Sequence, residues 1–201
     1  MKRTILALCA LLAAPPAFAA VGCDLNDPDR DVARLFPGST GYKTRYVSIK
    51  GSGGQPLLEK VERRLGDRFR GLYETMDVPY TLYDIYRGTE IAGHIHGVNQ
   101  KGEYGGIQVF LALDRAGTVK SFYIQKLTSR AAKDLRAREF GAQFEGLSLK
   151  DFEAYDPQAV KGAPEKVKAP AKAGKDFAAV LRAVKKNLIL LDEFVFSGKD
   201  K

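Results

Sequence analysis

With 201 residues, 32 Lys and Arg against 24 Asp and Glu, and two cysteines, the chain is sized for one domain and has no material for a disulfide framework. Its net charge of +8 implies a solvated basic surface with some attraction for anionic lipid or phosphate. No recognised nucleic-acid-binding module accompanies that charge, so DNA or RNA is not the expected partner.

The first residues read as an export signal. Met1-Lys2-Arg3 is a basic start, residues 4–14 are apolar, and Ala17-Phe18-Ala19 is an A-x-A cleavage site. The apolar run is shorter than the roughly 20 residues a spanning helix needs. Cleavage after Ala19 removes Cys9 and leaves a mature chain of net charge +6, exported to a bacterial periplasm. One cysteine, Cys23, then remains. Residues 20–23 have the small-residue look of a lipoprotein cleavage site, which would make 1–22 the leader and Cys23 a lipidation site tethered through 24–31. The alternative is cleavage after Ala19 and an incidental thiol. If Cys23 is lipidated, the Asp24 that follows resembles a signal for retention at the inner membrane.

The rest, 24–201, reads as a single α+β domain. An acidic, turn-rich stretch at 24–31 leads to Pro37-Gly38 and a strand at 42–49. Gly51-Ser52-Gly53-Gly54 is a flexible loop. Leu57, Leu58, Val61, Leu65, Phe69, Leu72 and Met76 recur at helical steps and predict one helix through Met76, with Glu59, Lys60, Arg63, Arg64, Asp67 and Arg68 on its solvated face. Strands follow at 80–86, 91–98, 107–113 and 119–127, joined by the glycine-marked turns 87–90, 102–106 and 114–117. Short connections make these an antiparallel β-meander covered on one face by the helix. Thr128 or Ser129 caps a second helix at 130–144. A Pro-, Ala- and Lys-rich loop spans 157–175, and a last helix runs from Asp176 to about Leu188, with 188–196 as its end or a closing strand.

Few constellations carry chemistry. His94 and His96, the only histidines, share one face of a strand at about 6.5–7 Å and make half of a metal site without a third ligand nearby. They are expected on the polar side of a half-exposed strand, and no metal is expected. No nucleophile elbow or zinc-protease helix is present, so the sequence points to an electron-transfer or binding module rather than a stand-alone enzyme. Glu103-Tyr104-Gly105-Gly106 opens a strand, where glycine permits a close approach by a ligand.

The order of strand pair 83–98, the turn Gly102 to Gly106, strand 107–113, turn 114–117 and strand 119–126 resembles the extracytoplasmic FMN-binding domain of Rnf and Nqr electron-transport subunits, over about 83–191. In that family a G-Y-G-G-like step precedes a strand of the form I-x-V-x-V-x-I-D. The resemblance implies FMN near Tyr104, Gly105, Gly106, Thr128, Ser129 and Arg130, and an envelope redox or membrane-protein partner. Two features depart from the family. Its Glu-Thr-Pro-Gly-like loop is replaced by Gln125-Lys126-Leu127-Thr128-Ser129-Arg130. Many members also attach FMN to the threonine of a Ser-Gly-Ala-Thr motif before the last helix, and residues 149–196 here contain no serine or threonine. A phosphoester there lacks its oxygen. The expectation is therefore noncovalent FMN, with Lys172, Lys175 and the start of the last helix attracting its phosphate, or a cofactor-free binding or accessory protein on the same scaffold.

Overall fold

The computed structural model describes residues 22–197; the expected leader, Met1 to Ala19, lies outside them. Five antiparallel strands lie side by side in chain order: β1 (Gly41–Val47), β2 (Tyr80–Arg87), β3 (Glu90–Lys101), β4 (Gly106–Asp114) and β5 (Val119–Lys126). The α+β meander read from the sequence is present, and its turns follow from local chemistry. Gly88, with φ 62°, supplies the positive φ of the two-residue β2–β3 hairpin. The Asp114 carboxylate accepts from the amides of Ala116 and Thr118 and so shapes the β4–β5 turn.

Both faces of the sheet are covered, rather than the one expected. On the first, Leu82, Val98, Ile107, Val109, Leu111 and Ile124 pack against the last helix, α6 (Gly174–Leu191), through Val180, Leu181, Val184 and Leu188. On the second, Tyr83, Ile85, Ile95, Phe110 and Ala112 pack under Cys23, Leu25 and helix α1 (Pro28–Leu35). The acidic stretch expected as a loose tether is thus structure. Asp27 caps α1 by accepting from Arg30 N, and Pro28 is tolerated in the first turn, where no amide partner is lost. Each large apolar side chain buried this way contributes about 1.5–3 kcal/mol.

The long helix expected through Met76 is shorter. After the turn α2 (Ile49–Ser52), α3 (Gly54–Leu65) ends at Gly66, whose φ of 76° allows the left-handed cap and an amide bond back to Glu62 O. Beyond it, residues 66–79 form a loop, and Leu72, expected in the buried stripe, is 78% exposed. Part of the helix's charged face is not simply solvated, because Lys60 and Arg64 pair with Glu193 and Arg64 also with Asp192. The expected helix over 130–144 is two short pieces, α4 (Ala132–Leu135) and α5 (Arg138–Ala142). At the end of the described chain, α6 runs into a π-helical turn (Asp192–Phe196), so 188–196 continues the helix instead of adding a strand.

Loop 66–79 is held down by buried charge. Lys186, with no exposed surface, donates to Glu74 Oε1 at 2.6 Å and to Asn99 O at 2.7 Å. Arg182 binds Glu74 Oε1 (2.5 Å), Gln100 Oε1 (2.7 Å) and Asp67 Oδ2 (2.8 Å). Burial alone would raise the Glu74 carboxyl, but Lys186 and Arg182 overrule it and hold the group below its ordinary value. Burial pulls the Lys186 ammonium down to about 8 despite Glu74.

Candidate functional site

At the C-terminal end of β5, a cleft of about 550 Å³ is lined by Gly22, Tyr73, Asn99, Gly106, Gln108, Gln125, Lys126, Leu127, Thr128 and Arg136. That volume lies within the usual range for a small-molecule site, about 300–1,000 Å³. Its floor is a row of carboxamides delivered by strand register. Asn99 of β3 is paired with Gln108 of β4, and Gln125 Nε2 of β5 donates to Gln108 Oε1 at 3.1 Å. All three side chains are buried. At the mouth, Lys126 and Arg136 supply positive charge. Arg136 is anchored by donating to the carbonyls of Ile124 and Gln125, which also covers polar backbone on the edge strand. A larger groove of about 720 Å³ runs along β5 against α4 and α5 and shares only Gln125 and Arg136 with the cleft.

Of the six residues expected from sequence, Gly106 and Thr128 line this cleft, and Tyr104, Gly105, Ser129 and Arg130 are not part of its lining. Gly105 abuts Thr128, since a Cβ there would sit 3.4 Å from its Cβ and Oγ1. Tyr104 is 47% exposed and stacks with the guanidinium of Arg130, 5.4 Å from its ring centre. Ser129 Oγ accepts from Ala131 N, as a cap does. The contributions of Tyr73, Asn99, Gln108, Gln125, Lys126 and Arg136 were not legible as a group, because each reads singly as a polar strand or loop residue.

The cleft floor and the start of α6 differ in what they could hold. Carboxamides on the floor offer donors and acceptors side by side. At the start of α6, however, a carboxylate of the chain takes the place expected for the phosphate. Asp176, 1% exposed, accepts from Glu103 N at 2.8 Å, and a Cβ on Gly102 would meet its Oδ1 at 2.8 Å. The negative group satisfies the helix dipole itself and repels an anion. Lys175 lies 3.9 Å from Glu103, and Lys172 is exposed. The close approach that Gly106 permits is made by Tyr73, whose Oη would lie 2.9 Å from a Cβ there.

The histidines are buried, not on a half-exposed face, because α6 and the π-helical turn cover that side of β3. His94 Nδ1 lies 2.8 Å from Asp84 Oδ1, and Asp84 also accepts two bonds from Arg45. Burial would raise the Asp84 carboxyl, but the bonds from His94 and Arg45 hold it at about 2. His96 Nδ1 lies 2.8 Å from Asn187 Oδ1, and Asn187 spends its own protons on His96 O and Val109 O, which fixes the His96 proton on Nδ1. Neither Nε2 has a partner among the described residues. Among those residues no group of three His, Cys, Asp or Glu side chains is placed to hold a metal ion. No described helix is long and apolar enough to cross a membrane.

Burial drops His96 to about 4, against a free value of 6.5. Between those pH values the unfolded chain binds a proton that the folded chain does not, so stability falls as pH falls through the window. The loss reaches about 3 kcal/mol by pH 4. Urea midpoints measured from pH 7.5 to 4.5 are expected to drop steeply in the wild type and less in His96→Leu. Equal slopes in the two proteins would remove His96 as the cause.

Comparison with protein-family models and with curated proteins finds no match to this chain.

Proposed function

We propose that the protein is an exported FMN-binding-domain-like module that holds flavin mononucleotide noncovalently and passes electrons between partners in the bacterial envelope. The observation that carries this reading is the cleft itself, where Gly106 and Thr128 meet a carboxamide floor with Lys126 and Arg136 at its mouth. In this reading Asn99, Gln108 and Gln125 receive the polar edge of the ring system, and the two cations receive the phosphate. The flavin supplies the electron transfer, and the chain binds, orients and shields it. With no serine or threonine before α6, the threonyl phosphoester of the resembled family cannot form there, so binding in this reading is reversible.

A second reading, a cofactor-free binding or accessory protein, is favoured by Tyr73 filling the space over Gly106 and by Asp176 holding the start of α6. The visible spectrum of protein purified from its own periplasm or membrane separates the two. Flavin bands that leave the protein on denaturation are the expected result. A colourless protein that also ignores added FMN sinks the redox reading and leaves the second.

For the tether, the proposal is that acylated Cys23 anchors the module at the inner membrane. The Cys23 side chain is 1% exposed, so a thioether to a lipid and this buried position exclude one another. The anchored form, which begins at Cys23, has residues 23–26 lifted off the sheet. Labelling with a palmitate analogue is expected in the wild type and lost in Cys23→Ser; a label that persists in the variant places the lipid elsewhere.

A further inference from the structure

Part of the floor of the cleft already has an occupant from the chain itself. Residues 22–26 cross the second face of the sheet without regular secondary structure. Asn99 Nδ2 donates to Gly22 O at 3.4 Å, Gln125 Nε2 donates to Asp24 O at 2.8 Å, and Asn26 N donates to Gln125 Oε1 at 2.9 Å. Outside the cleft, Thr81 Oγ1 donates to Asp24 Oδ1 at 2.6 Å and Leu25 N donates to Tyr83 Oη at 3.0 Å. Asn99, Gln125 and Gly22 all line the cleft. The segment thus gives Gln125 one carbonyl and one N–H, the same donor–acceptor edge that an amide-like ligand offers.

We propose that residues 22–26 form an intramolecular strap that competes with the ligand for the carboxamide floor, so that the cleft is self-occupied until the strap lifts. This rests on the reading of the cleft as a ligand site. Competition follows from hydrogen-bond capacity: one Gln125 amide cannot hold both the strap backbone and a ligand edge. Reversibility follows from how the strap is held. It is tied by isolated hydrogen bonds and two buried side chains, Cys23 and Leu25, with no strand ladder, and weakly laddered segments near a chain end open at lower cost than the core. Ligand affinity is then reduced by the fraction of molecules whose strap is open. An acyl chain on Cys23 holds the strap open, so an anchored molecule is a binding-competent one.

Cys23 reports the strap directly. Its thiol is buried, and burial pushes it well above the ordinary range, so it reacts only when the strap opens. The test follows the rate of Cys23 modification by an aromatic disulfide reagent in the unacylated mature chain, with FMN as the probe ligand. Modification is expected to be almost independent of urea below the unfolding transition, the mark of a local opening. Saturating FMN is expected to speed it. Thr81→Val and Tyr83→Phe, which lie outside the cleft, are each expected to raise the rate about tenfold and to tighten FMN by the same factor. Modification that tracks global unfolding overturns the strap, and FMN binding that leaves the rate unchanged overturns the competition. Urea-independent opening, accelerated in both variants while neither they nor the wild type bind FMN, supports a separately opening strap and sinks the flavin reading alone.

Discussion

Replacing Glu74 with alanine is expected to cost about 3–5 kcal/mol of stability, the penalty for removing one member of a buried ion cluster. Among the described residues Glu74 is the only carboxylate bonded to Lys186, and it shares Arg182 with Asp67. Without it a fully buried ammonium keeps only the carbonyl of Asn99 among these bonds. The loss is expected from urea unfolding at pH 7. Adding Lys186→Met to Glu74→Ala removes the stranded charge and is expected to restore part of it, with a coupling of about 1–3 kcal/mol. Because Glu74 also accepts from Arg70 N and belongs to the loop that carries Tyr73 onto Gly106, the single variant is expected to raise amide exchange across residues 66–79. A cost below about 1 kcal/mol would show that the cluster does not clamp the loop, since exposed pairs contribute that little.

The second large effect is expected at Gly93. A Cβ there would lie 2.1 Å from Leu113 O and 2.7 Å from the ring of Phe36, and a carbonyl paired across two central strands has nowhere to retreat. Gly93→Ala is expected to lose about 3 kcal/mol or more, at the upper end for overpacked cores. Gly97 makes a useful contrast. The atoms nearest to its Cβ would all belong to the Phe110 side chain, the first at 2.4 Å. Gly97→Ala is therefore expected to be rescued in part by Phe110→Leu, whereas Gly93→Ala is not rescued by Phe36→Leu. Thermal unfolding of the four variants decides this; a Gly93→Ala protein as stable as wild type would contradict the packing of β3 beneath Phe36.

The meander was legible because alternation and glycine turns are local signals, and Ile107, Val109 and Leu111 announce a strand without help from the rest of the chain. The helix through Met76 was misread because Phe69 and Met76 keep helical spacing across Gly66, where a left-handed cap ends the ladder and tertiary charge takes over. That error hid Tyr73, which a continuing helix would have placed far from Gly106. Gly106 and Thr128 were named through the family resemblance, and both line the cleft. The carboxamide floor was not, because Asn99, Gln108 and Gln125 become one surface only once the register of three strands is known. The histidines were misplaced for a related reason: nothing local shows that the far end of the chain covers His94 and His96. A polar, uncharged residue at the same height on adjacent strands was the available signal, and it needs a pairing scheme to be seen.

Flavin binding in the cleft beside Gly106 and Thr128 is the central claim to test. Fluorescence titration of the unacylated chain with FMN and with riboflavin, repeated on Lys126→Ala, measures this. Saturable binding is expected, tighter for FMN than for riboflavin, with the preference reduced in the variant because a cation at the mouth has been removed. No binding of either flavin, or an FMN preference untouched by Lys126→Ala, would contradict it.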